Sequence, residues 1–238
     1  MRQFDVFVFE NEGPQFDQWK PSFEDPALGW FHDSDWNRPL QGLEAEWIIF
    51  THPSVNIDRD FLNNLAQVTD SFPMVDAFAP RLKQAGHFFG GQLVNTTKGF
   101  SPISEESPMR FVAAPHPLIG IFSRRIIQRT GVFDLDLPPQ LRLLDYALRM
   151  AHAGGKMFSV PYLVTTAKRN VENDLCQDTI AKWKIIYKNL PILNLLAYSL
   201  RHPTTIFQFF NTNKLKIKQE KATSLSKLTA EYLKEIQA

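Results

Sequence analysis

The chain has 238 residues, 44% hydrophobic and 21% charged, with a formal net charge of +1, which predicts a soluble globular protein with a substantial core. The single cysteine, Cys176, excludes an internal disulfide and is typical of a reducing compartment. The first residues carry no basic flank before an apolar run, and no window approaches about 18 consecutive apolar residues. We therefore expect a cytoplasmic protein without a secretory signal or a membrane span.

The first fifty residues predict two strands separated by irregular chain. Phe4–Phe9 (FDVFVF) combines the aromatic and β-branched residues typical of strands. Residues 14–39 lack periodicity and predict a loop with at most one short helix. Leu40–Ala45 is predicted to be helical and to lead into Trp47–Phe50 (WIIF), whose unbroken apolar run is typical of a central strand in a parallel sheet.

Helices and strands continue to alternate in the next segment. Asp58–Val68 has its apolar residues on one helical face, and Met74–Ala79 predicts a strand that Pro80 ends. Residues 83–110, rich in Gly, Ser and Pro, predict a flexible excursion or hairpin. Leu118–Phe122 predicts another strand, followed by a short helix. This alternation predicts an α/β fold with the apolar strands in one mostly parallel sheet flanked by helices.

The segment Arg124–Pro161 contains the most specific pattern in the chain. A helix and a glycine turn lead to Phe133-Asp134, then to a proline-broken loop and a second helix that carries Asp145. A further glycine turn precedes Met157–Val160, which predicts a strand stopped by Pro161. The pattern places one carboxylate at the start of a helix, behind a mobile loop.

After residue 167 the pattern becomes helical, so we predict a domain over residues 1–167 and a C-terminal helical extension over 168–238. The extension holds 12 Lys and Arg against 6 Asp and Glu, a net charge of +6. Such asymmetry indicates a basic surface for an anionic partner, or solvated helix faces. The predicted helices of the extension are Leu175–Leu190, Ile192–Leu200, Thr204–Asn211 and Ser224–Ile236.

The Arg124–Pro161 pattern resembles the acceptor-side half of family 2 glycosyltransferases of the GT-A fold. Their sequences combine an Arg pair, Gly-x-Phe-Asp, a Glu-Asp pair on a helix and a closing Val-Pro. Asp145 falls on the Asp of the Glu-Asp pair, while Leu144 replaces the Glu. The resemblance covers residues 4–165 and implies a GT-A-like sheet, although the usual first strand–helix unit is missing from the match.

The resemblance also implies a donor site where strands end. Glu10 and Asn11 stand where the family contacts the nucleoside, and His52 and Ser54 stand where it carries the Asp-x-Asp motif for Mn²⁺ or Mg²⁺. His and Ser supply no carboxylate for such an ion, although imidazole can ligate Mn²⁺. His52 is therefore either a metal ligand or a strand-end histidine bonded to the backbone, and the motif is degenerate.

The resemblance makes Asp145 the candidate general base that deprotonates an acceptor hydroxyl. Asp145 could instead be a surface acid, and Arg149, one helical turn later, could orient it or form a surface pair. His116 is a candidate acceptor contact or a plain loop histidine. Arg124 is a candidate phosphate or acceptor contact, or a solvated residue at a helix start.

The expected function is transfer of a sugar from a nucleotide-sugar donor to a carbohydrate or lipid-linked acceptor, as in bacterial surface-polysaccharide assembly. The alternative is a non-catalytic GT-A-like binding or assembly module; a third possibility is a metal-independent transferase that uses basic side chains. We expect no nucleic-acid partner, because the main body of the chain is acidic. Apolar residues in 190–210 beside a basic cluster predict either a peripheral contact with the inner face of a membrane, or core and homodimer surface.

Overall fold

The computed structural model describes residues 3–9, 28–32, 36–37, 40, 42–84, 86–95, 99–103, 108–168, 179–204 and 234–237. The helices are α1 (Arg59–Ser71), α2 (Arg124–Thr130), α3 (Pro139–His152), α4 (Thr179–Asn189) and α5 (Ile192–Arg201). The strands are β1 (Phe4–Val8), β2 (Leu28–His32), β3 (Trp47–Thr51), β4 (Val55–Asn56), β5 (Ala77–Gln84), β6 (His87–Phe89), β7 (Gln92–Asn95), β8 (Gly99–Pro102), β9 (Arg110–Val112), β10 (Ile119–Ser123) and β11 (Met157–Ala167).

One mixed sheet organises the molecule, with its strands in the order β2-β1-β3-β10-β5-β11-β4. β1 pairs in parallel with both β2 and β3, and β5 pairs in parallel with β11. β10 runs antiparallel to its neighbours β3 and β5, so β2, β1, β3, β5 and β11 share one direction. This arrangement confirms the predicted α/β fold with a mostly parallel sheet. All five predicted strands contribute to it, as β1, β3, β5, β10 and β11.

The alternation of side chains along the central strands creates two hydrophobic layers. On one face, Val6, Ile49 and Phe78 pack with the apolar stripe of α1. On the other face, Phe7 and Phe50 pack with α2, α3 and α4. Both faces are covered, which explains why Trp47–Phe50 is apolar without a break.

The helix predicted for Leu40–Ala45 is wrong. Leu40 belongs to a turn in which its N–H donates to the carbonyl of Asn37, and residues 42–46 are bends and extended chain. The buried carboxylate of Asp5 in β1 accepts the N–H of Ala45, so this backbone bonds to a strand rather than to itself. The prediction of loop over 14–39 also missed β2, which is bonded to β1 along its length.

Both prolines that were predicted to end strands lie inside strands. β5 begins at Ala77 rather than Met74, which is 82% exposed, and it continues through Pro80. β11 likewise continues through Pro161. The register between the two strands shifts between Ser159 and Val164, at the level of Pro80. A proline lacks the N–H that a regular ladder requires, and a bulge removes that requirement.

The predicted excursion over 83–110 contains a hairpin, β7–β8, and two short strands, β6 and β9. Gly91 sits where the hairpin approaches the sheet, and a Cβ there would lie 2.8 Å from the carbonyl oxygen of Ala114. The position therefore requires glycine because of close packing.

Helices α4 and α5 confirm two of the predicted C-terminal helices, whereas residues 175–178 and 205–211 of the predicted helices lie outside the described residues. Trp183 and Ile186 of α4 and Tyr198 of α5 are buried in the same core layer as α3. Of the last predicted helix, residues 234–236 are described as helical, and Ile236 is fully buried in that layer. Within the described part of the chain, no helix is long and apolar enough to span a bilayer.

Residues 234–237 pack against β7 and β9. Gln237 forms a parallel bridge with Val94, and the Arg110 guanidinium donates to the carbonyls of Glu235 (3.4 Å) and Gln237 (3.2 Å). We expect Ile236→Ala to lower the free energy of unfolding by about 2–5 kcal/mol, as for other large-to-small core substitutions. Urea denaturation measures the change. Lys234→Ala, on the exposed side of the same turn, is the matched control, and equal stability of the two variants would contradict this docking.

Candidate functional site

The carboxyl ends of β1 and β3 lie side by side at one edge of the sheet, where the Phe9 N–H donates to the carbonyl of Thr51 (2.9 Å). The start of β10 lies at the same edge because that strand is reversed, and the His52 N–H donates to the carbonyl of Leu118 (2.8 Å). In open α/β sheets, ligands bind beyond this edge. The structure therefore brings together two predicted regions, the turn after β3 and the segment around His116.

Arg124 lies at the opposite edge of the sheet. Ser123 is in register with Trp47, the first residue of β3, and the Arg124 N–H donates to the carbonyl of Glu46 (2.8 Å). The Arg124 guanidinium donates to the carbonyl of Glu44. Arg124, a candidate phosphate or acceptor contact, is thereby separated from the ends of β1 and β3 by the reversal of β10, which apolar content alone does not reveal.

The turn after β3 is closed by His52 and Ser54. The Ser54 N–H donates to Nδ1 of His52 (3.0 Å), and the Ser54 hydroxyl lies 2.8 Å from the same nitrogen. An Nδ1 that accepts this N–H leaves the hydrogen of the neutral ring on Nε2, which makes Nε2 a donor. A donor cannot ligate a cation. The turn therefore fits an anion better than Mn²⁺ or Mg²⁺, which prefer carboxylate oxygens.

No other residue in the described ranges supplies the missing ligands. Among them, no three His, Cys, Asp or Glu side chains lie close enough to hold a metal ion. Asp58, the nearest acid along the chain, accepts the N–H of Phe61 (2.8 Å) as the N-cap of α1 and the amide of Asn56 (3.0 Å). Glu10 and Asn11, the predicted nucleoside contacts, lie outside the described residues.

Aromatic rings pack against the turn after β3 on the side of β1. The rings of Phe9 and Trp36 are 4.1 Å apart, and Phe9 meets the His52 ring edge to face at 5.9 Å. Trp36 is fully buried and also contacts Phe133, at 5.2 Å. These packed rings hold the turn against the loop before α3.

His116, the candidate acceptor contact, is fully buried. Its Nδ1 accepts the N–H of Leu118 (3.2 Å), and its carbonyl accepts the N–H of Ile119 (3.1 Å). His116 thus shapes the turn that starts β10. It supports the edge on which His52 lies.

Asp145 lies in the second turn of α3 rather than at its start, and its side chain is 0% exposed. One carboxylate oxygen, Oδ2, accepts from Nε of Arg149 (2.8 Å). The other, Oδ1, accepts from Nδ2 of Asn189 (3.0 Å) and lies 3.4 Å from Nζ of Lys188, both at the end of α4. A buried carboxylate requires such partners, because an uncompensated one costs several kcal/mol. The predicted Asp145–Arg149 pair exists, and α4 completes it.

The loop over residues 131–138, predicted to be mobile, is held from several sides. The Asn37 amide both donates to the carbonyl of Phe133 (3.2 Å) and accepts its N–H (2.6 Å). Arg142 donates to the carbonyls of Leu137 and Leu135, and its guanidinium lies 5.3 Å from the Trp36 ring. The structure therefore shows an anchored loop.

The charge of Lys188 links this loop to Asp145. Lys188 Nζ forms an ion pair with Oδ2 of Asp134 at 3.0 Å, in addition to its contact with Asp145. Burial raises the pKa of the Asp134 carboxyl, but the hydrogen bond and charge of Lys188, the N–H of Asp136 and the charge of Arg149 together hold that pKa below its usual value. Burial raises the pKa of the Tyr146 phenol, which stays a donor to the carbonyl of Gly131 (3.0 Å).

Sequence reasoning missed Asn37, Arg142, Lys188 and Asn189. Asn189 had a detectable signal, because it continues the apolar stripe of α4 one turn after Ile185, and a polar residue there needs a buried partner. Nothing in the sequence pairs Asn37 with Phe133, 96 positions later. The missed residues share one function, which is to fix the loop and the carboxylate.

No family model and no curated protein matches this chain. Solved structures with the same architecture are glycosyltransferases of the GT-A fold, and the chain has this fold. It is similar to a mannosyltransferase from Pyrobaculum calidifontis, solved with GDP-Man and Mn²⁺, with 14% identity and a TM-score of 0.55 over 90% of this chain and 75% of that one. It is also similar to residues 1–349 of TarS from S. aureus, solved with UDP-GlcNAc, with 13% identity and a TM-score of 0.52 over 98% and 81% of the two chains.

Proposed function

We propose that the protein is a glycosyltransferase that moves a sugar from a nucleotide-sugar donor to a saccharide or lipid-linked acceptor. One observation supports the proposal: in this strand order, with β10 reversed, the His52–Ser54 turn lies beside the end of β1, and ligands of open α/β sheets generally bind beyond the carboxyl ends of strands. Two solved proteins of this fold were crystallised with sugar nucleotides. Membership of family 2 and a role in bacterial surface-polysaccharide assembly belong to the same proposal.

The donor would bind at this turn, with Glu10 and Asn11 contacting the nucleoside and His52 and Ser54 facing the diphosphate. The Nε2 hydrogen of His52 suits a phosphate oxygen. The site would then neutralise the leaving diphosphate with hydrogen bonds and basic side chains rather than a divalent ion. This is the metal-independent alternative, and the chemistry of the turn favours it.

Donor binding is the first test. We expect GDP or UDP to bind the unaltered chain in titration calorimetry with nearly equal affinity with and without Mn²⁺. His52→Ala should weaken binding by about 10-fold to 100-fold, because a hydrogen bond to a charged group contributes ~1.5–3 kcal/mol. His202→Ala, at the end of α5, is the matched control. Strict dependence on Mn²⁺ would contradict the metal-independent site, and no binding of any nucleoside diphosphate would contradict the donor.

Asp145 is the proposed general base, oriented by Arg149. The acceptor hydroxyl oxygen would bond to the anomeric carbon while its proton passes to the Asp145 carboxylate. The nucleoside diphosphate would leave with the electron pair of the broken carbon–oxygen bond. Acceptor contacts from His116 or Arg124 have less support, since the first is buried and the second lies at the far edge.

Replacement of Asp145 tests this role. We expect Asp145→Asn to lower the transfer rate by about 10²–10⁴-fold, the usual loss for a general base. It should also lower stability by roughly 1–3 kcal/mol, because Arg149 and Lys188 lose a buried charged acceptor. Rates are therefore measured well below the melting temperature of the variant. Asn189→Ala, which weakens the same network but keeps the carboxylate, is the control.

A second candidate function is a non-catalytic GT-A-like binding or assembly module. The observation that favours it is the complete enclosure of Asp145, whose side chain is 0% exposed. In that case Asp145→Asn and Asn189→Ala would both reduce stability, and the unaltered chain would bind a nucleotide-sugar without turning it over. A rate loss confined to Asp145→Asn supports the enzyme.

We also propose that the protein contacts the inner face of a membrane, where lipid-linked acceptors reside. Leu196 and Leu200, one turn apart on α5, are 53% and 84% exposed, and Arg201 follows them. The net charge of +6 over residues 168–238 suits anionic lipids. A homodimer through the same leucines is the alternative, since exposed apolar residues also mark protein interfaces.

Vesicle co-sedimentation distinguishes the two. We expect binding to vesicles that contain phosphatidylserine at low salt, weakened by salt and by the double substitution Leu196→Ser and Leu200→Ser. Point variants are used because a C-terminal deletion would remove the buried Ile236. Leu135→Ser, at another exposed leucine, is the control. A dimer in sedimentation analysis that the double variant abolishes, without vesicle binding, would support the homodimer instead.

A further inference from the structure

The partners that enclose Asp145 must make room before an acceptor hydroxyl can reach its carboxylate. Arg149 holds Oδ2 from the same helix, and its own side chain is 22% exposed. Asn189 holds Oδ1 and is fixed in turn, since its amide also donates to the carbonyl of Ile185 (3.1 Å). Its carbonyl lies 2.8 Å from Nε2 of His152. Arg149 is likewise held by a second bond, to the carbonyl of Thr130 (3.4 Å), so each group has a backbone acceptor besides Asp145.

Lys188 differs from these two partners. Its side chain is 40% exposed, and its ammonium stands 3.4 Å from Oδ1 of Asp145 on a flexible four-carbon stem. The same ammonium is 3.0 Å from Oδ2 of Asp134, which is 32% exposed. Lys188 therefore has a second acceptor on the solvent side of Asp145. A rotation of one side chain can carry its charge to Asp134 alone.

The electrostatics around Asp134 fit such a move. Arg142 and Arg149 are the other cations that act on Asp134, and Lys188 contributes most to its ionised form. When Lys188 pairs with Asp134 alone, Oδ1 of Asp145 keeps the neutral Asn189 donor and loses a cation. One acceptor direction on Oδ1 is then open to the acceptor hydroxyl, which a general base must reach within hydrogen-bond distance.

We propose that Lys188 is a positioning residue for the acceptor site, which opens Asp145 to the acceptor hydroxyl by shifting from Asp145 to Asp134. The inference rests on the proposed glycosyltransferase function for its purpose. On this proposal α4 contributes Lys188 to the acceptor site, and Asp134 of the loop before α3 accepts the ammonium after it leaves Asp145.

Two substitutions have opposite expected effects. Lys188→Met keeps the stem but removes the ammonium, so Asp145 should be more accessible and the transfer rate about 3-fold to 10-fold higher, the factor that one hydrogen bond supplies. Asp134→Asn removes the receiving charge, so Lys188 should stay on Asp145 and the transfer rate should fall by a similar factor. A purely structural role of Lys188 would lower the rate in both variants.

Carboxyl labelling with a carbodiimide and glycine ethyl ester, read by mass spectrometry, measures access to Asp145 without any turnover. We expect labelling to rise several-fold in Lys188→Met, to fall below the unaltered level in Asp134→Asn, and to stay at that level in Lys188→Arg, which keeps the cation. Lys184→Met, one turn earlier on α4, is the control. Unchanged labelling in a folded Lys188→Met variant overturns the proposal. Labelling that follows the prediction in a chain without transferase activity would overturn the proposed function but leave Lys188 as the group that controls access.

Discussion

The enclosed carboxylate of Asp145 is the constraint on which the functional half of the molecule depends. A charge removed from water must be compensated by hydrogen-bond donors and opposite charge. Here Arg149 of α3 and Lys188 of α4 supply the positive charge, and the loop before α3 holds Lys188 through Asp134. The positions of α3 and α4 are thereby fixed relative to each other. Apolar packing alone would allow several registers between two helices. The contacts of Asp145 with Asn189 and Lys188, and of His152 with the Asn189 carbonyl, select one of them. The C-terminal helices are thus bound to the sheet domain by chemistry as well as by burial.

The reversal of β10 is the second determinant of the site. Because β10 lies between β3 and β5, the segment that enters it arrives at the carboxyl edge, and the segment that leaves it starts at the opposite edge. From there α2 leads back across the layer to the anchored loop, and α3 then leads to the start of β11, which is level with the start of β5. This return brings Phe133 and Asp134 back toward Trp36 and the end of β1. The turn after β3 and the anchored loop, which pack together through these rings, come from distant parts of the sequence.

The sequence was sufficient for the features that depend on local pattern. Segments rich in apolar and β-branched residues located five strands of the main sheet, and the stripe of α1 located its buried face. The i,i+4 spacing of Asp145 and Arg149 identified a real pair. The failures share one cause, which is that they depend on partners far away in the chain. The direction of β10, the bonds of Ala45 to Asp5 and of Asn37 to Phe133, and the passage of two prolines through one bulge are all decided by tertiary contacts.

The bulge that accommodates Pro80 and Pro161 also bears on how the chain folds. β5 and β11 form the most extended parallel pair of the sheet, yet Ala77 and Met157 are 80 positions apart in the chain. Pairing over such a separation is slow, so β5 spends part of the folding process as an open edge that could pair with another chain. A proline in the middle of that edge interrupts its row of N–H donors, and Pro161 does the same for the incoming strand. The native pairing tolerates both prolines because they lie at the same bulge. If either strand paired with a regular strand of another chain, its proline would leave one hydrogen bond of the ladder unformed. The same two residues that make the sheet irregular therefore disfavour aberrant pairing at this long-range junction.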